Sequence, residues 1–150
     1  MSEQREQQEQ QEPKRRMLTE TCPYCGAGVH LSDGVEVYGT ARYGNLYVCD
    51  RYPECRAYVG CHPHSKRALG TLADDELRAW RGRVHAAFDP LWRKGGPLAR
   101  REAYQRLQAE MGMGPQECHI AMFGIDECRL AIEAAARIRM EEAAKSDGND

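Results

Sequence analysis

Apolar positions follow two different spacings along the chain. Between residues 29 and 61 they come in short runs: Val29-His30-Leu31, Val35-Glu36-Val37-Tyr38, Leu46-Tyr47-Val48-Cys49 and Arg56-Ala57-Tyr58-Val59-Gly60-Cys61. Ser32-Asp33-Gly34 and the stretch from Gly39 to Gly44 separate them. Such runs, rich in β-branched and aromatic residues and bounded by turn formers, predict a small antiparallel sheet, with residues 35–38 as one of its strands. Past residue 70 the interval lengthens: Leu77, Trp80, Val84, Phe88 and Leu91 recur three or four residues apart. That period predicts an amphipathic helix, capped by Thr71 with Asp74 as its capping-box partner and ended at Asp89-Pro90.

A second helix is predicted over 98–111, with Tyr104, Leu107 and Met111 on one side and Gly112 as its stop. A short helix over 115–122 follows, then a longer one over 126–140 whose apolar face is Ile125, Cys128, Ile132, Ala135 and Ile138. The fold class read from these patterns is α+β, a small sheet followed by a small helical bundle. The boundaries expected are 1–19 for a Gln/Glu-rich tail, 20–66 for the sheet, 67–140 for the helices and 141–150 for a second tail. The first tail has too little apolar surface to offset chain entropy and is expected to be disordered, and the second to be solvated.

The sheet region is too poor in apolar residues to hold itself, and its cysteines supply the remedy. Cys22 and Cys25 are separated by two residues, Cys49 and Cys55 by five, with twenty-three residues between the pairs. Two disulfides or unrelated buried thiols are the alternatives. A chain with seven cysteines, an odd number, and no leader-like apolar segment favours metal ligation in a reducing compartment. The expectation is a zinc ribbon with one structural Zn2+ on Cys22, Cys25, Cys49 and Cys55. Gly26 relaxes the first loop and Pro53 shapes the second.

At these residues, CPYCG and YGNLYVCDRYPEC, the chain resembles the four-cysteine ribbons at the C-terminus of bacterial type I DNA topoisomerases. There a CPxCG knuckle precedes a Gly–aromatic strand and a closing C-x-x-Y-P-x-C loop. Together with LGTLADDELRAWRGRVHAAFDPLW and CHIAMFGIDECRLAI, the chain also resembles a small zinc-finger-containing family of tailed phages and prophages, which implies a zinc-binding domain. The topoisomerase resemblance implies base stacking by aromatics near the Gly–aromatic strand, here Tyr43 and Tyr47.

Charge sharpens that expectation. From Arg42 to Arg106 there are thirteen Lys and Arg against seven Asp and Glu, while the rest of the chain carries eight against sixteen. A basic middle with interleaved tyrosines suits nucleic acid, and Arg42, Tyr43, Tyr47, Arg51, Tyr52, Arg56 and Tyr58 are the expected contacts. The preferred ligand is single-stranded or distorted DNA, read with little sequence specificity. The alternative is a phage-encoded adaptor that binds a host protein. No run of eighteen apolar residues is present, so no membrane partner is expected, and the location is the cytoplasm of a bacterial host.

Three further groupings carry possible chemistry. Cys61, His62 and His64 could ligate metal, but the four earlier cysteines already complete a tetrahedron. Cys118, His119 and Cys128 lack a fourth partner and read as core. His85 and Asp89, four apart on one helix, could act with His119 in a metal-dependent nuclease, but a packed histidine beside a helix terminator is the preferred reading of the pair. No phosphate loop, nucleophile elbow or paired-carboxylate motif is present, and no catalytic residue is assigned.

Overall fold

The structure, a computed structural model, describes residues 20–147; the tail expected at 1–19 lies outside them, as do the last three residues of the tail expected at 141–150, whose residues 141–147 are helical instead. Internal contacts divide the chain into one compact unit ending at Asp75 and another starting at Glu76. The first unit holds the sheet and one short helical turn, the second the long helices.

Three antiparallel strands, β1 (Val29–Ser32), β2 (Leu46–Cys49) and β3 (Tyr58–Gly60), lie in the order β1-β2-β3. Leu31 pairs with Tyr47 and Tyr47 with Val59, while His30 pairs with Val48 and Val48 with Tyr58. Directly paired residues share a face, so Leu31, Tyr47 and Val59 point to one side and His30, Val48 and Tyr58 to the other.

Residues 35–38 are a one-turn helix, α1 (Val35–Tyr38), where alternation predicts a strand. Two left-handed glycines bracket it, Gly34 at φ 94 and Gly39 at φ 75. Ser32 Oγ accepts the Gly34 N–H and Asp33 Oδ1 the Val35 N–H, both at 3.0 Å. These local turns satisfy the backbone that a strand would have left for a neighbour, and four alternating residues cannot outweigh them.

Residues 67–75, assigned to the helices by periodicity, fold with the sheet. Ala73 and Tyr58 exchange backbone hydrogen bonds at 3.0 and 3.1 Å, the Leu69 N–H donates to the Gly60 carbonyl at 2.9 Å, and Leu72 is buried with the cysteines. The first long helix, α2 (Asp75–Phe88), therefore starts four residues beyond Thr71. Burial of Leu72 and the bridge to Tyr58 remove the segment that a Thr71 cap would have wound into helix.

In the second unit α2 buries Leu77, Val84 and Phe88 as its period predicts, and a 3-10 turn over Asp89–Leu91 follows. Arg81 is buried on the same helix, its Nε donating to the Phe123 carbonyl at 3.0 Å. Helix α3 (Arg100–Met111) ends where Gly112 takes φ 64 and the Met113 N–H returns to the Gln108 carbonyl at 2.9 Å. In place of the predicted helix over 115–122 there is a turn and a 3-10 segment over Ile120–Met122.

Helix α4 (Ile125–Asp147) runs past the predicted stop at Met140. Its extension is composed mostly of good helix formers, and Arg106 of α3 pairs with both Glu141 and Glu142. Cys128, Ala135 and Ile138 are buried as the period predicts, whereas Ile125 and Ile132 are half-buried and Ala131 and Ala134 are buried beside them. Among the described residues no helix is long and apolar enough to cross a membrane.

Candidate zinc centre and tyrosine face

The four predicted sulfurs converge. Cys22 Sγ lies 3.6 Å from Cys55 Sγ, Cys25 Sγ lies 3.4 Å from Cys49 Sγ, and all four fall within 4.8 Å of one another. Four thiolates at about 2.3 Å from one zinc stand about 3.8 Å apart in an ideal tetrahedron, so the cluster already has the spacing of a closed structural site. No disulfide joins them, since every cysteine is free.

Backbone amides complete the two knuckles. The Arg51 N–H donates to Cys49 Sγ at 3.5 Å. The amides of Ala27 and Ala57 favour the thiolates of Cys25 and Cys55. Each amide comes two residues after its cysteine, and each spreads the charge that a thiolate brings into a nearly dry site. The Ala27 amide is the main reason the Cys25 thiol is lowered to about 7, whereas burial pushes Cys49 up to about 12 and raises Cys55. Zinc offsets that burial cost by holding all four as thiolates.

The ribbon core explains why a metal is needed. Cys22, Cys49, Ala57, Val59 and Leu72 are buried in one cluster, with only Val29, Tyr47, Ala27, Ala68 and the remaining two ligands packed partly against it. Two of its five buried members are themselves ligands. Zinc binding, worth roughly 10–16 kcal/mol in isolated fingers, is far larger than so small an apolar cluster can contribute.

Among the described residues these cysteines are the one set of three or more metal-capable side chains that converges. Neither Cys61, His62 and His64 nor Cys118, His119 and Cys128 does so, and burial raises the thiols of Cys61, Cys118 and Cys128 above their ordinary value. His85 Nδ1 does meet Asp89 Oδ2 at 3.1 Å, but Arg93 shares that carboxylate at 3.2 Å and His119 does not join them as a metal cluster.

The expected nucleic-acid residues separate into two groups. Tyr38 bridges Tyr43 and Tyr58 edge-to-face at 5.3 and 6.1 Å between centroids, and Tyr58 meets Tyr52 at 6.3 Å. The Arg56 guanidinium stands 5.5 Å from the Tyr52 centroid, and its Nε bonds Asp75 at 2.9 Å. Tyr43, Tyr52, Tyr58 and Arg56 are thus joined in one row. Tyr38, at the end of α1, joins the row although it is not among the expected contacts; its place between Gly34 and Gly39, beside the Arg42-Tyr43 pair, is the signal the sequence carries.

Tyr47 lies on the opposite face, where its hydroxyl donates to the Lys66 carbonyl at 2.6 Å. The resemblance that paired it with Tyr43 could not register this, because the face depends on where β3 pairs. Arg42 and Arg51 are exposed. A further cluster braces the Tyr58 side of the sheet: His30 Nδ1 meets Asp50 at 2.7 Å and Nε2 meets Glu36 of α1 at 2.6 Å. The Asp50 hydrogen bond, followed by Glu36, raises the His30 pKa above its ordinary value.

A three-stranded sheet closed by four convergent thiolates defines a zinc ribbon holding one structural zinc. The chain belongs to the family described as zinc-finger-containing domain (DUF3268), which matches residues 18–138. No curated protein and no solved structure matches it.

Proposed function

We propose that the protein binds nucleic acid, preferentially single-stranded or distorted DNA, through the tyrosine row of its zinc ribbon and with little sequence specificity. The observation that carries the reading is the row itself, Tyr43, Tyr38, Tyr58 and Tyr52 in successive ring contact, with Arg56 on its last ring. Tyr43 is 69% exposed and Tyr38 44%, so two aromatic rings are open to solvent beside the basic Arg42. Flat rings accept any base, and neighbouring guanidiniums meet phosphate, a combination that favours unpaired strands over a particular sequence. Zinc is structural in this reading and holds the row in place; no catalytic step is assigned.

Likeness to the topoisomerase ribbons supports the same ligand, and a phage-type origin would place the protein in the cytoplasm of a bacterial host. The test is fluorescence anisotropy of labelled single-stranded and duplex DNA with the zinc-loaded protein. Tyr43→Ala and Tyr52→Ala are each expected to weaken single-strand binding by about 1–3 kcal/mol while zinc stays bound. Full affinity in both variants contradicts the reading. Absence of binding at low salt, with one stoichiometric host protein retained despite nuclease treatment, transfers the role to a protein adaptor.

A further inference from the structure

Both tryptophans of the chain, Trp80 and Trp92, lie in the helical unit, and arginines are laid on each. Around Trp80, Arg83 of α2 brings its guanidinium carbon 4.6 Å from the ring centroid, and Arg129 of α4 brings its own to 5.1 Å. Other arginines of this unit are bound to carboxylates: Arg93 to Asp89, Arg106 to Glu141 and Glu142, Arg137 to Glu110. Among the described residues, Arg83 and Arg129 make no ion pair. Asp126 and Glu133, one turn to either side of Arg129, do not approach it to ion-pair distance.

A guanidinium resting on an indole has lost much of its rotational freedom yet keeps its planar edge of N–H donors for an anion. Two such groups on one ring stand at most about 10 Å apart, close enough to meet neighbouring phosphates of one strand. The surroundings favour an extended polyanion: from Glu76 to Arg106 there are eight Arg and Lys against three acidic residues. We infer that Trp80, Arg83 and Arg129 form a second nucleic-acid contact, on the helical unit, that grips the phosphate backbone of single-stranded DNA. The inference rests on the nucleic-acid reading of the ribbon and deepens it: the tyrosines meet bases, and this surface meets phosphates.

Its test uses the full zinc-loaded chain with Trp92→Phe, which leaves Trp80 as the sole tryptophan. Trp92 Nε1 is buried without a hydrogen-bond partner, so phenylalanine removes a donor that no group receives. An unlabelled oligothymidine is expected to change Trp80 emission. In the same background Arg83→Gln with Arg129→Gln is expected to weaken binding about tenfold and to flatten the slope of log affinity against log salt by about 1.4, two phosphates at about 0.7 each.

An unchanged slope together with unmoved Trp80 emission overturns the inference, as does poly-glutamate competing as well as DNA at equal charge, which assigns the surface to an acidic polypeptide. The two readings fail separately. Loss of DNA affinity in Tyr43→Ala with Trp80 silent leaves the ribbon reading standing and removes this one. Full affinity in the tyrosine variants with a Trp80 response and a flattened slope in the arginine variant does the reverse.

Discussion

In the ribbon, a buried cluster joins Leu72, Val59 and Ala57 to Cys22 and Cys49; in the helical unit Phe88, Phe123, Leu91, Leu107 and Ile138 are all nearly inaccessible. One unit is closed by a metal, the other by apolar side chains. The aromatic residues divide in the same way, since six of the seven tyrosines lie in the first unit and both tryptophans in the second. The difference teaches that folding of the two units answers to different conditions, and that the chain carries its own reporter for each.

The sharpest way to break this comparison is to remove a ligand. Cys49→Ser deletes a buried thiolate from the centre of the cluster, and the ribbon is expected to lose its tyrosine near-UV signal and its zinc, a loss on the order of 10 kcal/mol, with helical circular dichroism retained. The reciprocal cut is Phe88→Ala, which empties a fully buried site that packs edge-to-face on Tyr104 at 4.8 Å. It is expected to cost the helical unit about 3–5 kcal/mol in denaturant unfolding read at tryptophan, with zinc stoichiometry unchanged.

A smaller effect in the same unit is expected from Gly96→Ala. The added methyl would stand 2.5 Å from the Pro90 carbonyl oxygen and 2.6 Å from that of Leu91, both backbone atoms that cannot swing aside. A destabilisation of about 1–3 kcal/mol in the same measurement is the expectation.

The smallest effect sharpens the ribbon's own account. His30 bridges Asp50 and Glu36, and its pKa is raised in the folded state, so its charged form stabilises the ribbon. That contribution is fully present below the unfolded pKa of about 6.5 and is lost as pH rises through the higher folded value. The side chain is 41% exposed, so the pair is screened and the loss is no more than about 1 kcal/mol. His30→Gln is expected to erase this pH dependence in thermal melts of the zinc-loaded ribbon.

The zinc centre was legible because ligand chemistry demands a set of thiols at knuckle spacing, and spacing is written directly in sequence. β2 and the stop of α3 at Gly112 were legible for similar reasons, each depending on residues within a few positions. What escaped depends on distant partners. Leu72 and Ala73 carry helix-compatible residue types, yet the sheet captures them through Tyr58 and the cysteine cluster. Arg81 sits on a basic stretch, yet the Phe123 carbonyl draws it inward. The sides taken by Tyr47 and Tyr58 follow from the β2–β3 register, which no local pattern announces.

The most direct test of the central claim, that zinc and not apolar packing holds the ribbon and its tyrosine row, is a chelator titration followed simultaneously by tyrosine near-UV circular dichroism and tryptophan fluorescence. The account predicts that the tyrosine signal collapses as one equivalent of zinc is withdrawn and returns when zinc is restored, with tryptophan emission unchanged. A tyrosine signal that survives complete removal of the metal, or a tryptophan signal that falls in step with it, would contradict the account.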